Sequence, residues 1–299
     1  MRVLVTGGAG FIGSHLVEKL VKKKYKVIVI DNLSNGKLDN LKAVRKKITF
    51  IKADLEKIKN LNKLLKKTDY IFHLSGLVKA AESIKKPKKY FKSNVQSTLN
   101  ILRSLNNTQT KKIIYAASAS CYGKTRNFPI SENNKIFNLT PYATTKWLSE
   151  KLLFEFSKNY KISIISIRLF NVYGSRNDSK SAYSGVITQF INSFKKKIPL
   201  KIYGSGKQTR SFVHVDDVVD AFVNLAQSKI KNEIFNVGGK GAIKITELAN
   251  LISQKKIFLA ARKGDPKYSW ANISKIKKKI GWSPKIDLKT GLNLLKSSR

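Results

Sequence analysis

The chain has 299 residues, 42% of them hydrophobic, which excludes a disordered chain and allows a substantial core. A single cysteine, Cys121, excludes a disulfide framework and suits a reducing compartment. The formal net charge of +41 would suit nucleic acid, but the lysines are spread over the whole chain with no aromatic-interleaved basic stripe, so compositional drift is the preferred reading and a nucleic-acid partner is not expected.

The chain opens on MRVLVTGG, straight into a strand. No signal peptide precedes it and no apolar run approaches membrane-spanning length, so a cytoplasmic protein without a membrane partner is expected. The strand Arg2 to Val5 leads into TGGAGFIGSHLVEKL, which reads as a tight turn and a helix. Gly7 permits the turn, Gly10 lets a pyrophosphate approach the backbone, and Gly13 lets helix and strand pack closely. The helix N-terminus then offers N–H groups to phosphates. The next strand, Lys26 to Ile30, ends at Asp31, where an acid hydrogen-bonds a ribose 2′-OH and repels a 2′-phosphate; NAD is therefore expected rather than NADP.

The alternation continues through strands Ile48 to Ile51, with Asp54-Leu55 at its end, and Asp69 to Leu74, ending in Ser75-Gly76. A long helix, about Lys86 to Asn106, carries Asn94. The strand Lys111 to Ala117, a helix from Tyr142 to Tyr160 and the strand Ile162 to Arg168 follow. This pattern predicts an α/β fold, a doubly wound parallel sheet of Rossmann type. Ligands in such sheets lie beyond the carboxyl ends of the strands, where Gly7, Asp31, Asp54, Ser75, Ser118 and Phe170 all fall.

Within IIYAASASCYGK and PYATTKWLSE lies a candidate proton-transfer site. Tyr142 and Lys146, at i and i+4, share one helix face, and a cation beside a phenol favours the phenolate. The Ser118 hydroxyl, at a strand end, suits the same substrate oxygen. After Arg168 the alternation breaks into loops, short strands and helices, and Glu233 to Val237 reads as a strand that returns to the sheet. The expected division is 1–170 plus about 211–240 for a cofactor domain, and about 171–210 and 241–299 for a smaller, discontinuous C-terminal lobe. His15, His73 and His214 have no metal-ligand spacing and read as structural, so no metal is expected. Cys121 reads as a packed small residue, and Asp216 and Asp217 as a helix cap.

These segments together resemble the extended short-chain dehydrogenase/reductases, specifically the NAD-dependent nucleotide-sugar epimerases and dehydratases, nearest to those acting at C4 of UDP-glucose or UDP-N-acetylglucosamine. TGGAGFIG, HLSGLV, SNVQSTLNIL, ASASCYG, PYATTK, RLFNVYG, YGSGKQTRSFVHVDD, FNVGG, RKGD and GWSPK carry the resemblance, in order, over nearly the whole chain. It implies a tightly bound NAD reduced and reoxidised within one turnover. It implies Tyr142 as the base, Lys146 as its partner and holder of the nicotinamide ribose, and Ser118 as the hydroxyl on the sugar O4. Phe11, Ile12, Asp31, Asn32, Asp54, Leu55, Leu74, Ser75, Gly76, Asn94 and Phe170 match cofactor contacts. Asn171, Val186, Tyr203, Arg210, Arg262 and Asp265 match contacts to the substrate's nucleotide diphosphate.

Dehydratases of the family carry an Asp-Glu pair after the catalytic hydroxyl, and decarboxylases a Glu. Ala119 and Ser120 stand there instead, and a hydroxyl at the Ser120 position, on the substrate side, resembles the 4-epimerases. Ser269, before Trp270, stands where a Tyr restricts other members to non-acetylated hexoses. The resemblance therefore implies 4-epimerisation of UDP-N-acetylglucosamine or UDP-glucose. In that scheme the Tyr142 phenolate removes the 4-OH proton, with the phenol lowered by Lys146 and the NAD charge. A homodimer through the helices carrying Asn94 and Tyr142 is also implied. The alternatives are another NAD-dependent nucleotide-sugar enzyme (dehydratase, decarboxylase or reductase) and a non-catalytic NAD- or RNA-binding member of the fold.

Overall fold

A computed structural model describes residues 1–125, 127–177, 185–261 and 267–297. Six strands, β1 (Arg2–Thr6), β2 (Lys26–Asp31), β3 (Ile48–Lys52), β4 (Tyr70–His73), β5 (Lys112–Ser118) and β6 (Ser163–Leu169), form one sheet with the strand Glu233–Val237. Across the sheet the order is Glu233–Val237, β6, β5, β4, β1, β2, β3, and all six pairings are parallel. The chain thus starts in the middle, runs out to β3 and crosses back to β4. Between β1 and β4 the winding reverses, which opens a crevice at the strands' carboxyl ends.

The strands are near-continuous apolar runs because helices cover both faces. Val3, Val5, Val29 and Ile114 pack on one side with helix α1 (Phe11–Lys22) and the helix Val215–Gln227. Leu4, Ile28, Ile113 and Tyr115 face the other side, against Ile101, Leu102 and Leu153 from the helices Ser97–Arg103 and Pro141–Asn159. The smaller lobe has its own core of Tyr173, Phe190, Leu200, Ile202, Leu248 and Leu292. Its sheets are short and stitched from distant pieces. Leu200–Tyr203 pairs with Lys256–Leu259, and Thr209–Arg210 lies between Ile243–Lys244 and Tyr268–Ser269.

Two expectations need correction. The long helix around Asn94 is not uniform: it passes from α-helix at Pro87–Tyr90 through π-helical turns at Phe91–Gln96 to α-helix at Ser97–Arg103. The wide turns present Asn94 to two neighbours at once, as described below, and such insertions concentrate at functional sites. Asp216 and Asp217 are not the cap of their helix. The His214 ring accepts the Asp216 N–H at 3.3 Å, while the Asp217 carboxylate accepts the N–H groups of Lys285 and Ile286 at 2.9 and 3.0 Å. Trp282 Nε1 donates to the Asp217 carbonyl at 3.0 Å, so the GWSPK segment is fastened to this helix. Among the described residues no helix is long and apolar enough to cross a membrane, and no cluster of His, Cys, Asp or Glu could hold a metal ion.

Candidate active site

The loop between β1 and α1 forms a cradle that side chains would fill. Gly7 has φ +70°, and a Cβ there would come within 2.8 Å of the Ser75 backbone; one on Gly13 would lie 2.2 Å from the Gly7 carbonyl oxygen. Gly10 caps α1 without a side-chain bond, and the first turn holds no acid. The N–H groups of that turn are therefore suited to an anionic ligand. Asp31 ends β2 and accepts the N–H of Ala9 at 2.9 Å and of Leu33 at 2.8 Å. Burial pushes its carboxyl above the usual range, and these two bonds pull it back.

Along the same rim Asn32 donates to Asp54 at 3.3 Å, Leu55 is buried, and Phe11, Ile12 and Leu74 are partly buried against the core. Gly76, at φ +147°, brings the Ser75-Gly76 turn against Asn94. The Asn94 carbonyl oxygen accepts the Leu77 N–H at 2.7 Å, and its amide donates to the Leu77 carbonyl at 3.1 Å and to Thr145 Oγ1 at 3.0 Å. Asn94 thus ties the turn to the helix that carries Tyr142 and Lys146. Phe170 is buried at the end of β6, its ring stacked on Tyr122 at 6.1 Å. The glycine cradle and the acid at the β2 end fit a dinucleotide, which when bound would lie along this rim.

Ser118 ends β5 and opens a tight turn, Ala119–Tyr122, by accepting the Ser120 N–H at 3.2 Å. The helix Pro141–Asn159 begins where Thr140 Oγ1 accepts the Ala143 N–H at 3.2 Å with Pro141 at its first position, an arrangement that fixes the phase of the helix. That phase turns Tyr142 toward Ser118, whose hydroxyl pulls the phenol down against its burial. The Tyr142 ring also meets Tyr90 edge-on at 6.5 Å, and its N–H donates to Ser83 Oγ at 3.0 Å. The Ser120 hydroxyl is buried with no partner, a state that a substrate hydroxyl would relieve.

The electrostatics differ from the sequence expectation. The chain alone holds the Tyr142 phenol above its ordinary value, because burial outweighs the Ser118 hydrogen bond. Lys146 does not bring it down. Its ammonium lies over the Tyr115 ring, 4.3 Å from the centroid, and burial lowers the amine itself to about 7, against the opposing pull of Glu150. His73, buried between Thr6 and Thr98, is driven down to about 3 by burial and stays neutral, in keeping with a structural role. The buried Cys121 thiol is pushed up to about 12, which makes it inert.

Beyond β6 lies a cleft lined by Asn171, Val186, Tyr203 and Arg210, four of the expected substrate contacts. Ser269 pairs in register with Arg210. Arg262 and Asp265 lie outside the described residues. Sequence reasoning missed Tyr173 and Gln208, which also line the cleft. Both fall inside quoted motifs, RLFNVYG and YGSGKQTR, which was the available signal. The Tyr173 hydroxyl is buried without a partner, and Gln208 donates to the Tyr203 carbonyl at 2.9 Å.

Residues 3–238 match the NAD dependent epimerase/dehydratase family. A putative UDP-glucose 4-epimerase of Methanocaldococcus jannaschii is 36% identical over 97% of this chain and 95% of its own. The UDP-N-acetylglucosamine 4-epimerase of Methanobrevibacter ruminantium, solved with UDP-N-acetylmuramic acid, superposes with a TM-score of 0.93 at 35% identity, covering 99% of this chain and 98% of its own. The UDP-glucuronic acid 4-epimerase of Bacillus cereus, solved with UDP-glucuronic acid and NAD, has a TM-score of 0.90 at 32% identity and covers 99% of each chain. Other relatives include a UDP-N-acetyl-glucosaminuronate decarboxylase and a dTDP-glucose 4,6-dehydratase. The chain belongs to the NAD-dependent epimerase/dehydratase family of nucleotide-sugar enzymes, and NAD is its cofactor.

Proposed function

We propose that the protein is a UDP-hexose 4-epimerase acting on UDP-N-acetylglucosamine and UDP-glucose. The observation that carries this reading is the catalytic turn. It offers Ser118 and Ser120 hydroxyls and no acid, and the acids behind it are engaged elsewhere. Glu150 is bound to Arg168 at 2.6 Å, and Glu132 accepts the Asn236 N–H at 2.7 Å. Removal of water across C5 and C6, or loss of a carboxylate, has no assigned acid here. Proton transfer at a single hydroxyl has its groups in place.

In this reading Ser118 holds the sugar O4 against Tyr142. Tyr142 accepts the O4 proton and later returns it. NAD, when bound, supplies the oxidising and reducing power at C4, and its positive charge favours the phenolate. Lys146 also holds the nicotinamide ribose, with Asn32, Asp54, Leu74 and Phe170 lining the rim. Asn171, Val186, Tyr203, Arg210, Arg262 and Asp265 hold the nucleotide diphosphate; guanidinium groups suit its oxygens because they donate in pairs. The division of labour follows: 1–170 with about 211–240 for NAD, and about 171–210 with 241–299 for the sugar nucleotide. A cytoplasmic homodimer completes the reading, and exposed Phe91, on the segment that carries Asn94, supports a partner there.

The deciding experiment is incubation of the protein with UDP-N-acetylglucosamine, UDP-glucose and dTDP-glucose, with products read by NMR. Epimers at C4 are expected from the UDP sugars. A 4-keto-6-deoxy product would establish a dehydratase, and no conversion of any UDP sugar would sink the proposal. In the same assay Ser269→Tyr is expected to remove activity on the N-acetylated sugar and to spare UDP-glucose.

A further inference from the structure

Behind the catalytic pair runs a buried charged network that the proposed reaction does not use. Glu150 lies one helical turn beyond Lys146 and two beyond Tyr142. Its carboxylate is held on both oxygens. Arg168 donates from Nη2 to Oε1 at 2.6 Å and from Nε to Oε2 at 3.1 Å, and Ser166 donates to Oε2 at 2.6 Å. Arg168 Nη1 donates onward to the Tyr122 hydroxyl at 2.9 Å, and Tyr122 donates to Asn236 Oδ1 at 2.7 Å. Asn236 Nδ2 in turn donates to the Ile130 carbonyl at 2.9 Å.

Tyr122 closes the turn that Ser118 opens. The network therefore joins the helix carrying Tyr142 and Lys146 to the turn carrying Ser118, by way of β6. Glu150 and Arg168 are 1% and 3% exposed. Taking both ions out of water is costly, and apolar residues of similar volume often stabilise a fold as well or better. Stability is a weak reason for such a pair.

The groups around Lys146 narrow its role. Tyr115 faces it from β5, neutral His73 lies behind from β4, Tyr142 and Glu150 share its helix, and Arg168 stands behind Glu150 on β6. Glu150 is the one anion in this set. We propose, resting on the epimerase reading, that Glu150 is a positioning residue. Held rigid by Arg168 and Ser166, it keeps a negative charge beside Lys146 and, through Tyr122, ties that charge to the Ser118 turn, so that the cation and the two hydroxyls keep one geometry. Burial by itself favours the neutral amine, and Glu150 opposes it.

The test follows Lys146 directly, by NMR of protein labelled with [13Cε]lysine and loaded with NAD, its signal assigned by its loss in Lys146→Met. Glu150→Gln is expected to move the Lys146 titration down by about one pH unit, with Glu150→Asp closer to wild type. Because Glu150→Gln leaves Arg168 unpaired, the uncharged pair Glu150→Gln/Arg168→Met serves as a second variant, with a smaller shift in the same direction. On a UDP sugar, kcat of the variants is expected to fall roughly tenfold, its alkaline limb moving with the Lys146 titration, while KM changes less than about twofold. An unchanged Lys146 titration in both variants, folded, would overturn the proposal. The NMR arm needs no sugar nucleotide, so a wild type without epimerase activity would sink the function and leave this result readable.

Discussion

In the seven-stranded sheet the candidate cofactor contacts come from consecutive strand ends, whereas in the lobe the candidate substrate contacts come from segments as far apart in sequence as Asn171 and Ser269, brought together by two- and four-residue strands. The sheet side is over-determined. Gly7, Gly13 and Gly76 are each pressed against backbone or Asn94, and Asp31 is fixed by two N–H donors. The lobe side is mixed: a Cβ at Gly206 would come within 2.4 Å of Thr246, whereas one at Gly185, beside Val186 in the cleft, would meet no described residue within 4 Å. The candidate cofactor contacts thus sit on successive elements of one sheet, and the candidate substrate contacts on loops that distant segments bring together.

The largest way to sharpen that contrast is Tyr142→Phe, which removes the proton acceptor and leaves the ring against Tyr90. Its kcat on the accepted UDP sugar is expected to fall by about 10³ or more, with NAD content of the purified protein unchanged. Equal losses of NAD and activity would show that the residue serves binding instead. Next is a glycine pair. Gly13→Ala is expected to destabilise the fold by roughly 3 kcal/mol and empty the cofactor site, since its Cβ meets the Gly7 carbonyl. Gly185→Ala is expected to shift stability by no more than about 0.5 kcal/mol. Thermal melts with and without NAD decide both, and equal effects would erase the distinction between the halves.

Arg210→Ala, on the lobe side, is expected to raise KM roughly 10- to 100-fold through loss of charge-assisted bonds, with kcat less affected. Steady-state kinetics check the split. A further effect is pH-dependent. Lys146 titrates near 7 in the folded chain and near its ordinary value of ~10.4 when unfolded. Above about pH 7 the unfolded chain binds more protons at this group, so stability of the NAD-free protein rises with pH, by up to ~1.4 kcal/mol per unit, until the Cys121 thiol, raised to about 12 in the fold, offsets the slope above about pH 8.5. Above about pH 10 the raised tyrosines, Tyr115 and Tyr122, reverse the slope. Denaturant titrations from about pH 7 to 8.5 read it directly, and Lys146→Met should flatten the curve; an equal slope in the variant would remove Lys146 as its source.

Much of the site was legible because its signals are short-range. The spacing of Gly7, Gly10 and Gly13, the acid at Asp31, and the i, i+4 placement of Tyr142 and Lys146 are dictated by turn, helix and strand geometry within one βαβ unit or one helix. The sheet followed from the same alternation. The π-helical turns at Phe91–Gln96 and the bond of Asp217 to the tail were not legible, because each depends on a partner far along the chain: Asn94 meets Thr145, and Asp217 meets Lys285 and Ile286.

By itself the sequence determined which side chains are available for chemistry and which strand end or helix face each occupies. It also determined the absence of an acid at Ala119 and Ser120. Only the tertiary structure decided their electrical state. Burial raises the Tyr142 phenol and lowers the Lys146 amine to about 7, and Glu150, held by Arg168 from another strand, opposes that lowering. Desolvation depends on everything packed around a group, and no local spacing in the chain records it.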